Sequence, residues 1–177
     1  MDFKRLTDSE WTRLLGDIKA GRFSGQQLAH NIAVLAKPAD HGRIDRAKYI
    51  VAQYVDDPDD WVRHEVLWFF LWGHLREFRS AIADRLRDDR NADNRAYAAT
   101  CLGRLCKDSQ DAAICERLAK SILAPDEDPT VRTSAYAALL LVVRGDEAVP
   151  MARKFEFDEL GLDDIDVDWV VSPTSVS

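Results

Sequence analysis

The sequence predicts an all-α fold: a right-handed α-α solenoid of about eight helices stacked as antiparallel pairs, with an acidic C-terminal tail. Three observations predict it. Proline and glycine are few, six and eight in 177 residues, and Ala, Leu, Arg and Asp dominate, which favours helices over strands. One segment recurs three times with the apolar period of a helix. The charge is divided: residues 155–177 hold seven acidic and no basic side chains, so the net charge of -7 belongs to the tail, and the rest balances 24 acidic against 24 basic groups. The expected organisation is a solenoid body over 1–154, with its clearest repeats at 43–145, and a tail over 155–177.

Two helices lead in, near Asp8 to Ala20 and Gly25 to Ala36. Thr7-Asp8-Ser9-Glu10 offers a capping box for the first. Lys37-Pro38 and the following Gly42 are expected to end the second. The repeated segments are DPDDWVRHEVLWFFLWG, NADNRAYAATCLGRL and DEDPTVRTSAYAALLLV, aligned on Arg63, Arg95 and Arg132. The position before each arginine is Val62, Asn94 and Val131; three after come Val66, Ala98 and Ala135; six after, Phe69, Cys101 and Ala138. Seven after come Phe70, Leu102 and Leu139, and ten after, Gly73, Leu105 and Val142. These offsets share one helical face. Asp, Asn or Pro precedes each segment and supplies helix-start chemistry. Partner helices are expected at about Ile44 to Val55, Phe78 to Arg87 and Asp111 to Leu123, which makes consecutive antiparallel pairs.

Asp60-Trp61-Val62-Arg63 and Pro129-Thr130-Val131-Arg132, and less closely Asp93-Asn94-Arg95, resemble the HEAT-repeat family, whose second helix opens with Asp and Val-Arg before an apolar stripe. The resemblance covers about residues 43–145. It implies a HEAT-like solenoid that binds proteins, with no particular chemistry. It also implies that Arg63, Arg95 and Arg132 bond neighbouring turn carboxylates.

Val62-Arg63-His64-Glu65 is similar to a string in the HEAT-like enzyme deoxyhypusine hydroxylase, where His-Glu pairs recur to enclose two irons. Here the equivalent positions are Ala96-Tyr97 and Thr133-Ser134, which cannot ligate a metal, and one pair falls short of a coordination shell. His74 points elsewhere on the same helix, while His30 and His41 belong to other segments. No metal or cofactor is therefore expected, and His64 reads as a polar groove or capping residue. A phosphate-cradling Gly-rich loop, a Gly-x-Ser-x-Gly elbow and a supported Cys-His pair are all missing from the sequence. HEAT-like DNA glycosylases use a basic concave face. A neutral body and acidic tail give no phosphate attraction, so nucleic acid is not the expected partner. Cys101, Cys106 and Cys115 are an odd number without metal spacing. With no run of 18 apolar residues and no apolar leader at the N-terminus, a cytoplasmic location is expected.

What the repeat does not require is tryptophan at 61, 68 and 72. These lie on a second apolar face, rotated away from the core stripe, where the next repeats carry Asp93, Thr100 and Arg104, and Thr130, Ala137 and Leu141. Two alternatives stand. The stripe is covered within the chain, by Trp11, Leu14, Leu15 and Ile18 of the first helix or by the tail; or it is an exposed interface. The tail alternates apolar and acidic residues, with Phe155, Phe157, Leu160, Leu162, Ile165, Val167, Trp169 and Val170 available to dock as an extended segment.

The expected function is non-catalytic protein binding. The recognition surface would comprise Trp61, His64, Glu65, Trp68 and Trp72, then Tyr97, Arg104 and the Thr133-Ser134 ledge. Asp163, Asp164, Asp166, Asp168 and Trp169 of the tail would orient a basic partner. Within this class, an immunity or antitoxin protein against a basic toxin or nuclease fits the charge and size; an adaptor or assembly chaperone is the rival. The enzyme alternative is a HEAT-like hydroxylase, lyase or glycosylase.

Overall fold

A computed structural model describes residues 6–36, 41–156 and 159–171, of which no strand forms any part. The expected turn at Lys37-Pro38 and tail residues Phe157 and Asp158 lie outside the described residues. Eight helices of ten or more residues follow in order: α1 (Asp8–Lys19), α2 (Gly25–Ala36), α3 (His41–Val51), α4 (Asp60–Trp72), α5 (Arg79–Asp88), α6 (Ala92–Leu105), α7 (Ala112–Leu123) and α8 (Pro129–Arg144). Two shorter ones, α9 (Val149–Glu156) and α10 (Val167–Val171), close the chain. Gly42 does not terminate α2; it lies in the first turn of α3, which begins three residues before Ile44. The chain divides into two compact units, with the boundary after Leu75.

In the first unit, Thr7 and Glu10 form the expected capping box at α1. Trp11, Leu15 and Ile18 are buried, and the Trp11 indole donates to the Leu35 carbonyl of α2 at 3.4 Å, with Arg46 stacked 5.1 Å from its ring centre. The Tyr54 hydroxyl donates to the Ile18 carbonyl at 2.7 Å and fixes the turn after α3 against α1. Burial and the nearby Asp57 carboxylate push the Tyr54 phenol above its ordinary value. Helix α2 packs most extensively against α4.

In the second unit the widest contact is between α6 and α8. It closes at Gly103, where an added Cβ would stand 2.7 Å from the Ala138 Cα. Helix α8 ends at Gly145, whose φ of 58° lies in the left-handed region that glycine adopts without strain. The turn after α6 then returns to the end of α8: the Asp108 and Gln110 amides donate to the Leu141 and Val142 carbonyls.

All fifteen core positions read from the three segments are buried, Asn94 included. The starts of α4, α6 and α8 share a register that extends further back than the arginine. Asp59, Asn91 and Asp128 each stand four residues before it and cap the helix through a side-chain oxygen. Asp57, Asp89 and Asp126 stand six before it, giving Asp-x-Asp/Asn-x-x-x-Arg at 57–63, 89–95 and 126–132. The first two turns fold alike, Asp57 accepting from the Asp59 amide at 2.9 Å and Asp89 from the Asn91 amide at 3.0 Å. In the third, Glu127 takes over and accepts from the Asp128 amide at 2.8 Å.

The arginines bond backbone carbonyls as well as a carboxylate of the expected kind. Arg63 donates to the Asp57 and Pro58 carbonyls, Arg95 to the Asp89 carbonyl and Arg132 to the Ile122 carbonyl. A buried turn presents carbonyl oxygens that need donors, and the guanidinium fork supplies several at once. Arg95 also meets the Glu127 carboxylate at 2.7 Å, a pairing of the expected kind.

Candidate functional site

Helix α4 is set at its start by Asp59, which accepts from the Trp61 and Val62 amides, and by Arg63, which is only 7% exposed. This anchoring fixes the rotation of the helix. Val62, Val66, Leu67, Phe69 and Phe70 are then fully buried. Trp61 and Trp72, on the other side, are 59% and 62% exposed. Trp68 between them is half-buried, its ring centre 5.4 Å from that of Trp72 at a tilt of 49°. The Trp61 ring meets His64 edge-on at 6.3 Å. Glu65 is half-buried, one turn from each of Trp61 and Trp68. Five of the expected residues are thus gathered along one helix of the first unit.

Among the described residues Trp61 and Trp72 stand largely exposed. The α1 residues invoked as internal cover are buried or half-buried, with Trp11 spent on α2. Leu75, just beyond the end of α4, is buried beside Gly73.

The remaining expected residues belong to the second unit, and their surroundings are mostly spoken for. Tyr97 is half-buried. Arg104, exposed on α6, donates to Glu156 of α9 at 3.2 Å. Thr133 forms no ledge: it is 9% exposed, and its hydroxyl donates back to the Pro129 and Thr130 carbonyls of its own helix. Ser134 is half-buried.

The C-terminal segment packs within the second unit, but through short helical turns rather than as an extended segment. Asp164 accepts from the Gly161 amide at 2.8 Å, and Asp166 accepts from the Trp169 amide at 2.9 Å, which starts α10. Ile165 and Val170 are buried. Tyr136 of α8, which sequence reasoning missed, organises the dock. Its ring meets Phe155 edge-on at 5.0 Å and Trp169 at 5.8 Å, and its hydroxyl accepts from the Asp166 amide at 3.3 Å. Arg144 stacks 4.7 Å from the centre of the Trp169 ring. Asp164, Asp166 and Trp169 therefore hold the segment in place, while Asp163 and Asp168 face solvent. The signal that could have found the dock is the Asp-x-x-Trp cap at 166–169, which marks a helix start.

Among the described residues, no three His, Cys, Asp or Glu side chains come together in a geometry that could hold a metal ion. Burial pushes the Cys101 thiol far above its ordinary range, and raises Cys106 and Cys115 as well. A thiol held protonated is a poor nucleophile. Among the described residues, no helix is long and apolar enough to cross a membrane. No family model, curated protein or solved structure matches the chain. The α4 stripe presents two exposed indoles on a helix capped by Asp59.

Proposed function

We propose that this chain is a non-catalytic protein-binding module that docks a partner on the α4 stripe of Trp61, Trp68 and Trp72. The observation that carries this is the exposure of Trp61 and Trp72 on a helix whose other face is fully buried. At roughly 250 Å² per tryptophan, the two together present on the order of 300 Å² of indole to solvent. That equals the largest apolar patch of many monomers, roughly 300–600 Å². It would also fill the centre of a standard interface of about 800 Å² per partner, where tryptophan is a favoured anchor.

The HEAT-type solenoid implied by the sequence belongs to the same proposal. It is supported by the shared cap-and-arginine register of α4, α6 and α8. An immunity or antitoxin role against a basic toxin or nuclease in the cytoplasm is the specific form that the acidic balance favours. An adaptor or assembly chaperone is its rival. The test is to place photoreactive benzoylphenylalanine at position 72 of the full chain in its native host, irradiate, and identify what is joined to it. One discrete protein at position 72, absent when the same group sits at exposed Arg90 of the second unit, supports the proposal. No product at 72 contradicts it. A toxin domain as product supports the inhibitor form, and a subunit of a larger machine the adaptor.

A further inference from the structure

We infer that the face of α8 and α9 beneath the C-terminal segment is a peptide-docking site, with residues 159–171 as its resident ligand. A partner segment of the form Ile-Asp-x-x-Trp-Val displaces them and takes their place. The inference is independent of the α4 stripe, which belongs to the other unit.

The segment satisfies its backbone largely from within. Asp164 accepts from the Gly161 amide and Asp166 from the Trp169 amide, while the Ile165 and Val170 amides donate to the Leu162 and Asp166 carbonyls. These bonds form the turn that presents the indole, so the turn is set by the segment's own residues. What reaches the helices beneath is mainly side chain: Ile165 and Val170 are buried and Trp169 is half-buried. Among the described residues, the Asp166 amide makes the one hydrogen bond from 161–171 to that face, and none of the carboxylates of Glu159, Asp163, Asp164, Asp166 and Asp168 forms an ion pair.

The face beneath supplies three kinds of recognition. Tyr136 and Phe155, buried with the segment in place, meet edge-on at 5.0 Å and form an apolar floor. The Tyr136 hydroxyl accepts the amide of the capping aspartate. Arg144, in the last turn of α8, lies 4.7 Å from the centre of the Trp169 ring. An aromatic edge and a cation together favour an indole over an aliphatic side chain, and the guanidinium favours an acidic peptide over a basic one. Holding the segment costs the conformational freedom of each ordered residue, which two buried aliphatic side chains and one half-buried indole offset only narrowly. The segment therefore opens without unfolding the helices under it. Its tether to α9 keeps its effective concentration on the order of millimolar, the level that a partner must overcome.

The test uses the full-length chain and a fluorescent synthetic peptide of residues 159–171. In the parent chain, the Asp166, Trp169 and Val170 amides should exchange hydrogen at least about tenfold faster than the core of α8, as local opening requires. Exchange at the rate of α8 would make the segment an integral part of the unit and overturn the inference. Trp169→Ala should loosen the resident segment and bind the peptide saturably, at least about tenfold tighter than the parent does. Unchanged exchange over α8 would show that the variant stays folded; should it unfold, Val170→Ala takes its place. Arg144→Gln in the loosened chain should weaken the peptide about threefold, and a Trp169→Leu peptide should not bind. Equal binding to the parent and the loosened chain would place the site elsewhere and overturn the inference. No binding to the loosened chain, or equal binding of the leucine peptide, would overturn it too. So would sedimentation showing a parent dimer dispersed by Trp169→Ala, since the occupant would then be a second copy of the chain.

Discussion

Gly103→Ala sets helix propensity against packing, and the structure gives the sign. In the interior of a helix, alanine is favoured over glycine by about 0.8–1 kcal/mol. At position 103 the new methyl would lie 2.7 Å from the Ala138 Cα and 2.9 Å from its Cβ. Carbon atoms pack best at about 3.5–4.0 Å, so α6 and α8 must part by about 1 Å at their crossing. Backbone cannot rotate aside as a flexible side chain can, and overpacking of this kind costs about 1–3 kcal/mol. The net expectation is a loss of about 1 kcal/mol, or a fall of several degrees in the melting temperature of the second unit. Gly16→Ala in the middle of α1 is the control: nothing lies within 4 Å of its added methyl, so the propensity gain of about 0.8–1 kcal/mol should appear undiminished. Calorimetry with hydrogen exchange read separately over α1 and over α6–α8 distinguishes the two. If Gly103→Ala stabilises as much as Gly16→Ala, the close crossing of α6 and α8 is wrong.

Other variants follow from the same geometry. Trp11→Ala removes a fully buried indole and should cost about 3–5 kcal/mol in urea unfolding. Trp61→Ala and Trp72→Ala together should cost only about 1 kcal/mol, mostly the Trp68–Trp72 contact. Arg95→Ala breaks the bond to the Asp89 carbonyl and the forked pair with Glu127, both side chains being less than one-fifth exposed, and should lose about 2–4 kcal/mol. Cys101 should resist iodoacetamide in the folded chain and react at once in urea. Because its folded pKa is raised, only the unfolded thiol ionises as pH rises past about 8.5, so this group's contribution to stability is present below that pH and declines above it.

Much of the fold was legible because one arginine-centred register carries both the cap and the core. Val62 to Gly73, Asn94 to Leu105 and Val131 to Val142 turn the same face inward, as their spacing required. The carbonyl partners of the arginines were not legible, although the Arg95–Glu127 pair is of the kind expected. Sequence shows where carboxylates are, whereas the direction of a turn carbonyl emerges only when the turn is folded. The C-terminal segment misled for a related reason: alternation of apolar and acidic residues suggested an extended segment, while local caps from Asp164 and Asp166 bent it into helical turns. Its dock on Tyr136 joins residues thirty positions apart and leaves no periodic trace. For the candidate site, helical angles separated Trp61, Trp68 and Trp72 from the core. Whether that second face was covered depended on tertiary packing: α8 buries Leu141, the counterpart of Trp72, which α4 leaves open.

The most direct test of α4 as the docking face is fluorine NMR of the full chain labelled with 5-fluorotryptophan, titrated with the protein joined to position 72. The Trp61 and Trp72 resonances should shift or broaden in step with binding, while that of buried Trp11 stays fixed. A complex that forms with Trp61 and Trp72 unmoved, or that moves only Trp169, would contradict the account.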